Sequence, residues 1–249
     1  MLFRLSHARS RKVEILLAIA FCINLVFWFS VKDIRGRWGN VPPAPERGSA
    51  AFFGLGDAQL AYRLTGLMIQ NLGDSGGRVT ALKDYNYDEL TKWFYVEDSL
   101  DSHSDYIPYL AAYYFSAVQT PESFRPVLDY LSMVGQRSEG EKWRFLAQAS
   151  FLARKDLKDM DKSVALANML VHHKRQDLPE WTKYLPALIL SQKGDKEASY
   201  DLIVELLRSS GDKLDPSEVN NMHYMLCHTI LTPDQARKNP LCKNYMVHK

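Results

Sequence analysis

The sequence predicts an all-α protein in which antiparallel helix pairs follow a single N-terminal transmembrane helix. Three observations carry this expectation. The segment from Ile15 to Val31 is apolar and uncharged throughout. Beyond Ser49, apolar positions recur at helical spacing almost to the C-terminus, interrupted by short polar turns. Strand-like alternation is absent over any length, Arg78 to Leu82 being the nearest candidate.

About 20 apolar residues cross a bilayer core, and shorter spans are tolerated when flanking side chains snorkel. Lys12 and Glu14 precede the run and Lys32 and Asp33 follow it, so Val13 and the Lys32 stem complete the length. A cleaved signal peptide needs a shorter stretch and small residues close behind it. Here the run ends Phe27-Trp28-Phe29-Ser30-Val31, and the first small-residue site, Ser49-Ala50-Ala51, lies far downstream. Cys22 follows Ala20-Phe21 in mid-run, which does not suit a lipoprotein site. The expectation is an uncleaved anchor over residues 13–32. Arg4, Arg9, Arg11 and Lys12 precede it, against Lys32, Arg35, Arg37 and Arg47 after it. The denser early cluster favours a cytoplasmic N-terminus with the C-terminal domain outside, in a bacterium the periplasm.

The chain has 249 residues, about 200 of them beyond the anchor and linker, enough for one domain with a real core. Residues 1–47 hold 8 basic and 3 acidic residues, leaving 23 basic against 26 acidic in the rest. The part beyond the anchor therefore has no basic excess to grip phosphates, and nucleic acid is not expected as a ligand. Of the three cysteines, Cys22 sits in the apolar run as one more apolar side chain. Cys227 and Cys242 form a disulfide in an oxidising compartment and remain two thiols in a reducing one.

Taken in order, residues 1–12 read as a basic tail, 13–32 as the membrane helix and 33–53 as a Gly/Pro linker. Trp38 in that linker suits the membrane interface. Residues 54–232 read as the helical domain and 233–249 as a C-terminal tail. The first helix, within 56–73, has Asp57 as N-cap, Gly73 as its stop, and an inward stripe of Leu60, Leu64, Leu67, Met68 and Leu72. The second, within 84–100, turns Leu90, Trp93, Phe94 and Leu100 inward. The third, within 105–118, carries Pro108 in its first turn, where proline is tolerated. A fourth opens at Thr120-Pro121-Glu122 and ends at Gly135. Further helices are expected within 141–154, 161–173, 180–192, 195–210 and 215–231, about nine in all after the anchor.

Helices of this length joined by short turns pack as antiparallel pairs. Asp161-Lys162-Ser163 and Asp195-Lys196-Glu197 open helices 34 residues apart, and the same offset relates Ala153 to Ala187, Ala165 to Ser199, Met169 to Ile203 and Leu170 to Val204. Small residues at fixed points of a helix pair permit close crossing. The pattern resembles the tetratricopeptide repeat, a 34-residue helix–turn–helix. KGDKEAS (193–199) is similar to its inter-helix turn, with Trp181, Tyr184, Ala187 and Leu188 before it. The resemblance covers about 141–210 well and 105–140 loosely. Pro186 inside a first helix departs from the motif. The resemblance implies a solenoid of stacked pairs and a groove that binds a protein or peptide.

Motifs for chemistry are sparse. Gly73-Asp74-Ser75-Gly76-Gly77 spells the segment around the nucleophile of chymotrypsin-like proteases, but no β scaffold surrounds it and His7 is the only earlier histidine. Asp101-Ser102-His103-Ser104-Asp105 lacks the glycine and distal glutamate of a calcium loop and reads as a polar turn. His172 and His173 are adjacent and so diverge by about 100° on a helix. His223 and Cys227 share a helix face, and Cys242 could join them, yet a fourth zinc ligand is not evident. No enzyme, cofactor or metal is expected. The dense tyrosines are the candidate recognition surface: Tyr106, Tyr109 and Tyr113 fall on one helix face, with Arg125 nearby. The expected function is a membrane-anchored interaction module binding a protein or peptide partner. The alternative is an accessory subunit of a larger membrane complex, in which Asn24 within the span bonds another helix.

Overall fold

The structure, a computed structural model, describes residues 2–32, 40–75, 78–118, 120–210 and 214–243, with the side chains of residues 2–12, 74, 75, 78 and 210 left aside. It is all-helical apart from a two-residue antiparallel pair in which Asp74 faces Val79 and Ser75 faces Arg78. That pair falls where the sequence offers its nearest strand candidate. The chain divides into two units, residues 1–39 and 40–249. Trp38 lies outside the described residues.

The first unit is one helix, α1 (Leu2–Val31). Its segment Val13–Val31 has 19 residues with a mean hydropathy of 2.2. At about 1.5 Å per residue it is about 28 Å long, close to the thickness of a hydrocarbon core. Length and hydropathy fit a membrane span and a signal sequence alike. The one hydroxyl in its last turn is satisfied internally, Ser30 Oγ donating to Val26 O at 2.8 Å. Lys32 Nζ lies 4.5 Å from the centre of the Phe29 ring, so a cation and aromatic rings meet where the apolar run stops.

The second unit begins earlier than the composition suggests. Residues 40–53, expected to be linker, lie against the core in part, with Val41 and Ala50 buried and Phe52 and Phe53 exposed. Trp93 Nε1 donates to Pro42 O at 2.8 Å, and Arg47–Phe52 form a short helix, α2. Proline and glycine mark this stretch as irregular, but irregular backbone can still lie against a core when its carbonyls find donors.

Helix α3 (Ala58–Gln70) is capped as expected, Asp57 Oδ1 accepting from Gln59 N at 2.8 Å and Leu60 N at 3.0 Å. Its buried face is only in part the expected one. Ala61, Tyr62, Thr65, Gly66 and Ile69 face the core and Met68 and Leu72 pack half-buried against it as expected, while Leu60, Leu64 and Leu67 stand exposed. The helix is apolar on most of its circumference, and the smaller residues let its neighbours come close: a Cβ on Gly66 would sit 3.2 Å from the Tyr106 ring. Helix α4 (Tyr87–Leu100), capped by Asn86, buries Leu90, Trp93, Phe94 and Leu100 as expected.

Helix α5 (Tyr106–Tyr109) runs on as a π-turn over Leu110–Tyr114, Phe115 N donating to Leu110 O at 2.9 Å. Then come α6 (Arg125–Gly135), α7 (Trp143–Lys155), α8 (Met160–Val171), α9 (Trp181–Lys193) and α10 (Lys196–Ser210). Each packs chiefly on its neighbours in sequence. Helix α11 (Pro216–Tyr224) passes into a second π-turn over Met225–Ile230. The segment read as a tail instead contains α12 (Pro233–Lys238). Thr232 and Gln235 form a capping box at its start. One buried cluster runs from α2 to α8 and a second joins α9 to α12.

Two helix pairs are built alike. Asp159 caps α8 and Asp195 caps the start of α10, accepting from Lys162 N at 3.0 Å and Ala198 N at 3.3 Å. The fourth residue of each helix is a buried serine reaching back to the preceding helix: Ser163 Oγ donates to Ser150 O at 2.8 Å and Ser199 Oγ to Ala187 O at 2.7 Å. These equivalents are 36 residues apart, and the helices before them, Trp143–Lys155 and Trp181–Lys193, are offset by 38. The 34-residue register read from sequence therefore pairs non-equivalent positions here. The turn before α8 is two residues longer than the turn before α10.

Candidate functional site

The concavity richest in recognition chemistry, about 380 Å³, lies between α7 and α9 with the π-turn after α5 at one side. Helix α7 contributes Trp143, Arg144, Ala147, Gln148, Phe151 and Arg154, and α9 contributes Trp181, Leu185 and Ile189. The spacings are helical: Ala147, Phe151 and Arg154 lie on one face of α7, and Trp181, Leu185 and Ile189 on one face of α9. At the 38-residue offset, Trp143 matches Trp181, Ala147 matches Leu185, Phe151 matches Ile189 and Arg154 matches Gln192. Two of these matched pairs touch. The Trp143 and Trp181 rings are 5.8 Å apart, and Arg154 Nη1 donates to Gln192 Oε1 at 2.8 Å. Ala147, small among large neighbours, leaves the space between the two stripes.

The cleft is apolar in its floor and basic at its ends. Arg144 lies 5.7 Å over the Trp143 ring and pairs with Glu141 at 3.2 Å. Arg154 lies 5.6 Å over the half-exposed Phe151 ring, which Lys155 also approaches at 5.4 Å. Among the described residues, two arginines line the cleft and no carboxylate does. Such a surface holds apolar side chains on its floor and anionic groups at its margins, where guanidinium donors keep capacity for carboxylate oxygens.

The structure separates the sequence candidates. Tyr113 lines the cleft. Tyr109 is exposed and stacks on it, ring centroids 4.7 Å apart. Tyr106 instead turns to α3, its hydroxyl donating to Gln70 Oε1. Arg125 is not part of the cleft: its guanidinium is shared between Glu122 at 2.6 Å and the Asp159 cap at 3.0 Å, and these partners raise its pKa further. It ties the start of α6 to the start of α8. The arginine expected beside the tyrosines is thus a strut, because its helix start faces a capping carboxylate. Missed from sequence were Trp143, Phe151, Arg154 and Trp181. The legible signal is the 38-residue recurrence of tryptophan at a helix start, which a 34-residue register does not bring into line.

Cys227 and Cys242 are bonded, with Cα atoms 5.6 Å apart. The link holds the chain after α12 against the second π-turn, and His223 Nδ1 sits 3.1 Å from Leu241 O beside it. Asp101 closes α4 by accepting from His103 N at 3.0 Å and Ser104 N at 3.3 Å. His172 and His173 bond to different carbonyls, those of Asn168 and Gly135. Among the described residues no group of three or more His, Cys, Asp and Glu is placed to hold a metal ion. No protein-family model, curated protein or solved structure matches this chain.

Proposed function

We propose that this chain is a membrane-anchored peptide-binding module, a divergent tetratricopeptide-like solenoid whose α7–α9 cleft takes an extended segment of a protein partner. The observation that carries the reading is the cleft itself, with an aromatic and aliphatic floor, an arginine at each end and, among the described residues, no lining carboxylate. The matched α7/α8 and α9/α10 pairs, each bridged by a buried serine, support the solenoid. The apolar helix over Val13–Val31 supplies the anchor. The Cys227–Cys242 bond fits an oxidising compartment, hence a domain held outside the cytoplasm. Tethering raises local concentration, so a modest affinity suffices for an assembly or scaffolding role.

The geometry specifies the peptide. Arg144 and Arg154 are ten residues apart on α7, about 15 Å along its axis. An extended chain covers that distance in about four to five residues. The ligand is a segment with carboxylates at that separation and an apolar side chain between them. Fluorescence anisotropy on the full chain in lipid nanodiscs tests this with peptides of that pattern and with scrambled controls. Patterned peptides bind preferentially, and Arg154→Glu and Phe151→Ala each weaken binding about tenfold, equivalent to about 1.4 kcal/mol. Binding indifferent to both substitutions overturns the reading.

One observation favours a second reading, an accessory subunit of a membrane complex. Asn24 places an amide among Leu17, Ala20, Phe21, Leu25 and Trp28 on one face of α1, where a second helix would satisfy it in lipid. Replacing α1 with an unrelated span separates the two. Peptide binding persists under the first reading, and co-purification of membrane subunits is lost under the second.

A further inference from the structure

Six of the exposed large apolar residues of the second unit lie close together in sequence, between residues 52 and 67. Phe52, the last residue of α2, is 77% exposed, and Phe53 and Leu55 in the turn that follows are 55% and 88% exposed. Leu60, Leu64 and Leu67 continue the exposure along α3 at i, i+4 and i+7, a single helix face. The turn is anchored to that helix, Asp57 N donating to Gly54 O at 2.9 Å and Ala61 N to Asp57 O at 3.0 Å. Gly54 itself is immovable there, since a Cβ would lie 2.2 Å from Asp57 O. Soluble surfaces rarely collect so many large apolar side chains without something to cover them.

We infer that this α2–α3 face rests in the interfacial layer of the bilayer that holds α1. The inference rests on the anchor reading above and adds a second, peripheral attachment. Three observations select lipid over other occupants. The first is tether length: from Lys32 to Asn40 there are eight residue steps, which reach at most about 29 Å, so a bilayer-held α1 keeps lipid within the domain's range. The second is composition, with phenylalanine and leucine in a turn and along a helix stripe, the residues that enter the acyl boundary. The third is charge. Arg47 and Arg63 are the only charged residues within α2 and α3, both exposed, and Arg63 stands between Leu60 and Leu64 on the stripe where its stem can lie along lipid and its guanidinium reach phosphate. The flanking acids are Glu46, before α2, and Asp57, whose carboxylate is taken by the α3 backbone.

Such a contact orients the domain. A second attachment through α3 fixes which side of the second unit meets lipid.

The test uses the full chain in nanodiscs of phosphatidylcholine with a minority of phosphatidylglycerol. An environment-sensitive fluorophore is placed on native Cys22, or, in a Cys22→Ser background, on Leu64→Cys, Phe53→Cys or the exposed Glu205→Cys of α10. Lipids brominated near the headgroup end of the acyl chain are the quencher for the probes at 53, 64 and 205, and lipids brominated near the acyl terminus are the quencher for Cys22, which lies at the middle of Val13–Val31. Probes at residues 64 and 53 are expected to be quenched about twofold, the depth of interfacial helices, and the probe at 205 not at all. Leu64→Asp is expected to abolish quenching at residue 53. Quenching at 205 equal to that at 64 overturns the assignment to this face. A probe at 64 open to aqueous iodide overturns it in favour of a bare surface, and one shielded from both quenchers with chain-to-chain crosslinks overturns it in favour of a second copy. Loss of quenching at Cys22 refutes the anchor itself, whereas quenching at Cys22 without quenching at 64 refutes only the second attachment.

Discussion

Glu97 is fully buried in the seam between α3 and α4, and only one of its carboxylate oxygens is bonded, by the Thr65 hydroxyl. Burial lifts its pKa from the ordinary 4.5 to about 7, with the Thr65 hydrogen bond opposing the rise. The tyrosines Tyr62, Tyr106 and Tyr130, the Asp101 carboxylate and the Asp98–Arg137 pair surround the same seam. A carboxyl whose folded pKa exceeds its unfolded pKa favours the fold while protonated. Its contribution is therefore complete below about pH 4.5 and is lost as pH rises through about 7. The loss is about 3 kcal/mol. Glu97→Gln keeps an acceptor for Thr65 and carries no charge, so urea unfolding of the full chain in mild detergent should show a flat profile across this window where the native chain declines. Tyr130 supplies a second residue-scale expectation. Its hydroxyl is buried without a hydrogen-bond partner, so Tyr130→Phe should be neutral or stabilising by up to about 1 kcal/mol, read as the shift in urea midpoint.

Elements meet through small residues and reaching hydroxyls. Gly135, the last residue of α6, touches α7 so closely that a Cβ would lie 2.4 Å from Leu146 N. Its carbonyl also receives His173 from the end of α8. Gly135→Ala must separate α6 from α7, at a cost of about 1–3 kcal/mol seen as a lowered thermal midpoint. The serine bridges give a paired expectation. Ser163→Ala and Ser199→Ala each remove one donor to the preceding helix, and each should cost about 1–2 kcal/mol. The α7/α8 pair keeps a reciprocal bond from Ser150 Oγ to Ser163 O at 2.9 Å that has no counterpart at Ala187, so the loss at Ser199 should equal or exceed that at Ser163, and a clearly larger loss at Ser163 would argue against this account.

Across the second unit, the two buried clusters meet at α9, and the disulfide belongs to the second. Cys242 closes a 15-residue separation back to Cys227, for which loop-closure entropy gives about 3 kcal/mol. Reduction should therefore release α12 and the chain after it, with amide exchange rising there and little change in α3 to α8, which hydrogen–deuterium exchange reads directly. The cleft, between α7 and α9, should keep most of its peptide affinity after reduction.

Much of this chain was legible from its residues. Asp57 caps its helix as the sequence indicates, because a short acceptor beside free backbone donors needs no tertiary help, whereas Asn86, Asp159 and Asp215 cap helices whose starts the sequence leaves unassigned or places elsewhere. The inward face of α4 follows from aromatic and aliphatic residues on one side and most of the charge on the other, with Glu97 the buried exception. The apolar helix at the front was legible for the same reason, since length and hydropathy are local quantities. What tertiary structure alone decided begins where local signals tie. Helix α3 is apolar nearly all round, so the shape of its neighbours, not its periodicity, chose Ala61, Gly66 and Ile69 for the core and left three leucines outside. Residues 40–53 look like linker by composition, yet Val41 and Ala50 are buried and α4 bonds the backbone there, Trp93 donating to Pro42 O and Glu89 accepting from Ala44 N. The cleft arises only when Trp143 and Trp181, 38 residues apart, come side by side, and no local pattern states that two helices separated by a hairpin will line one groove.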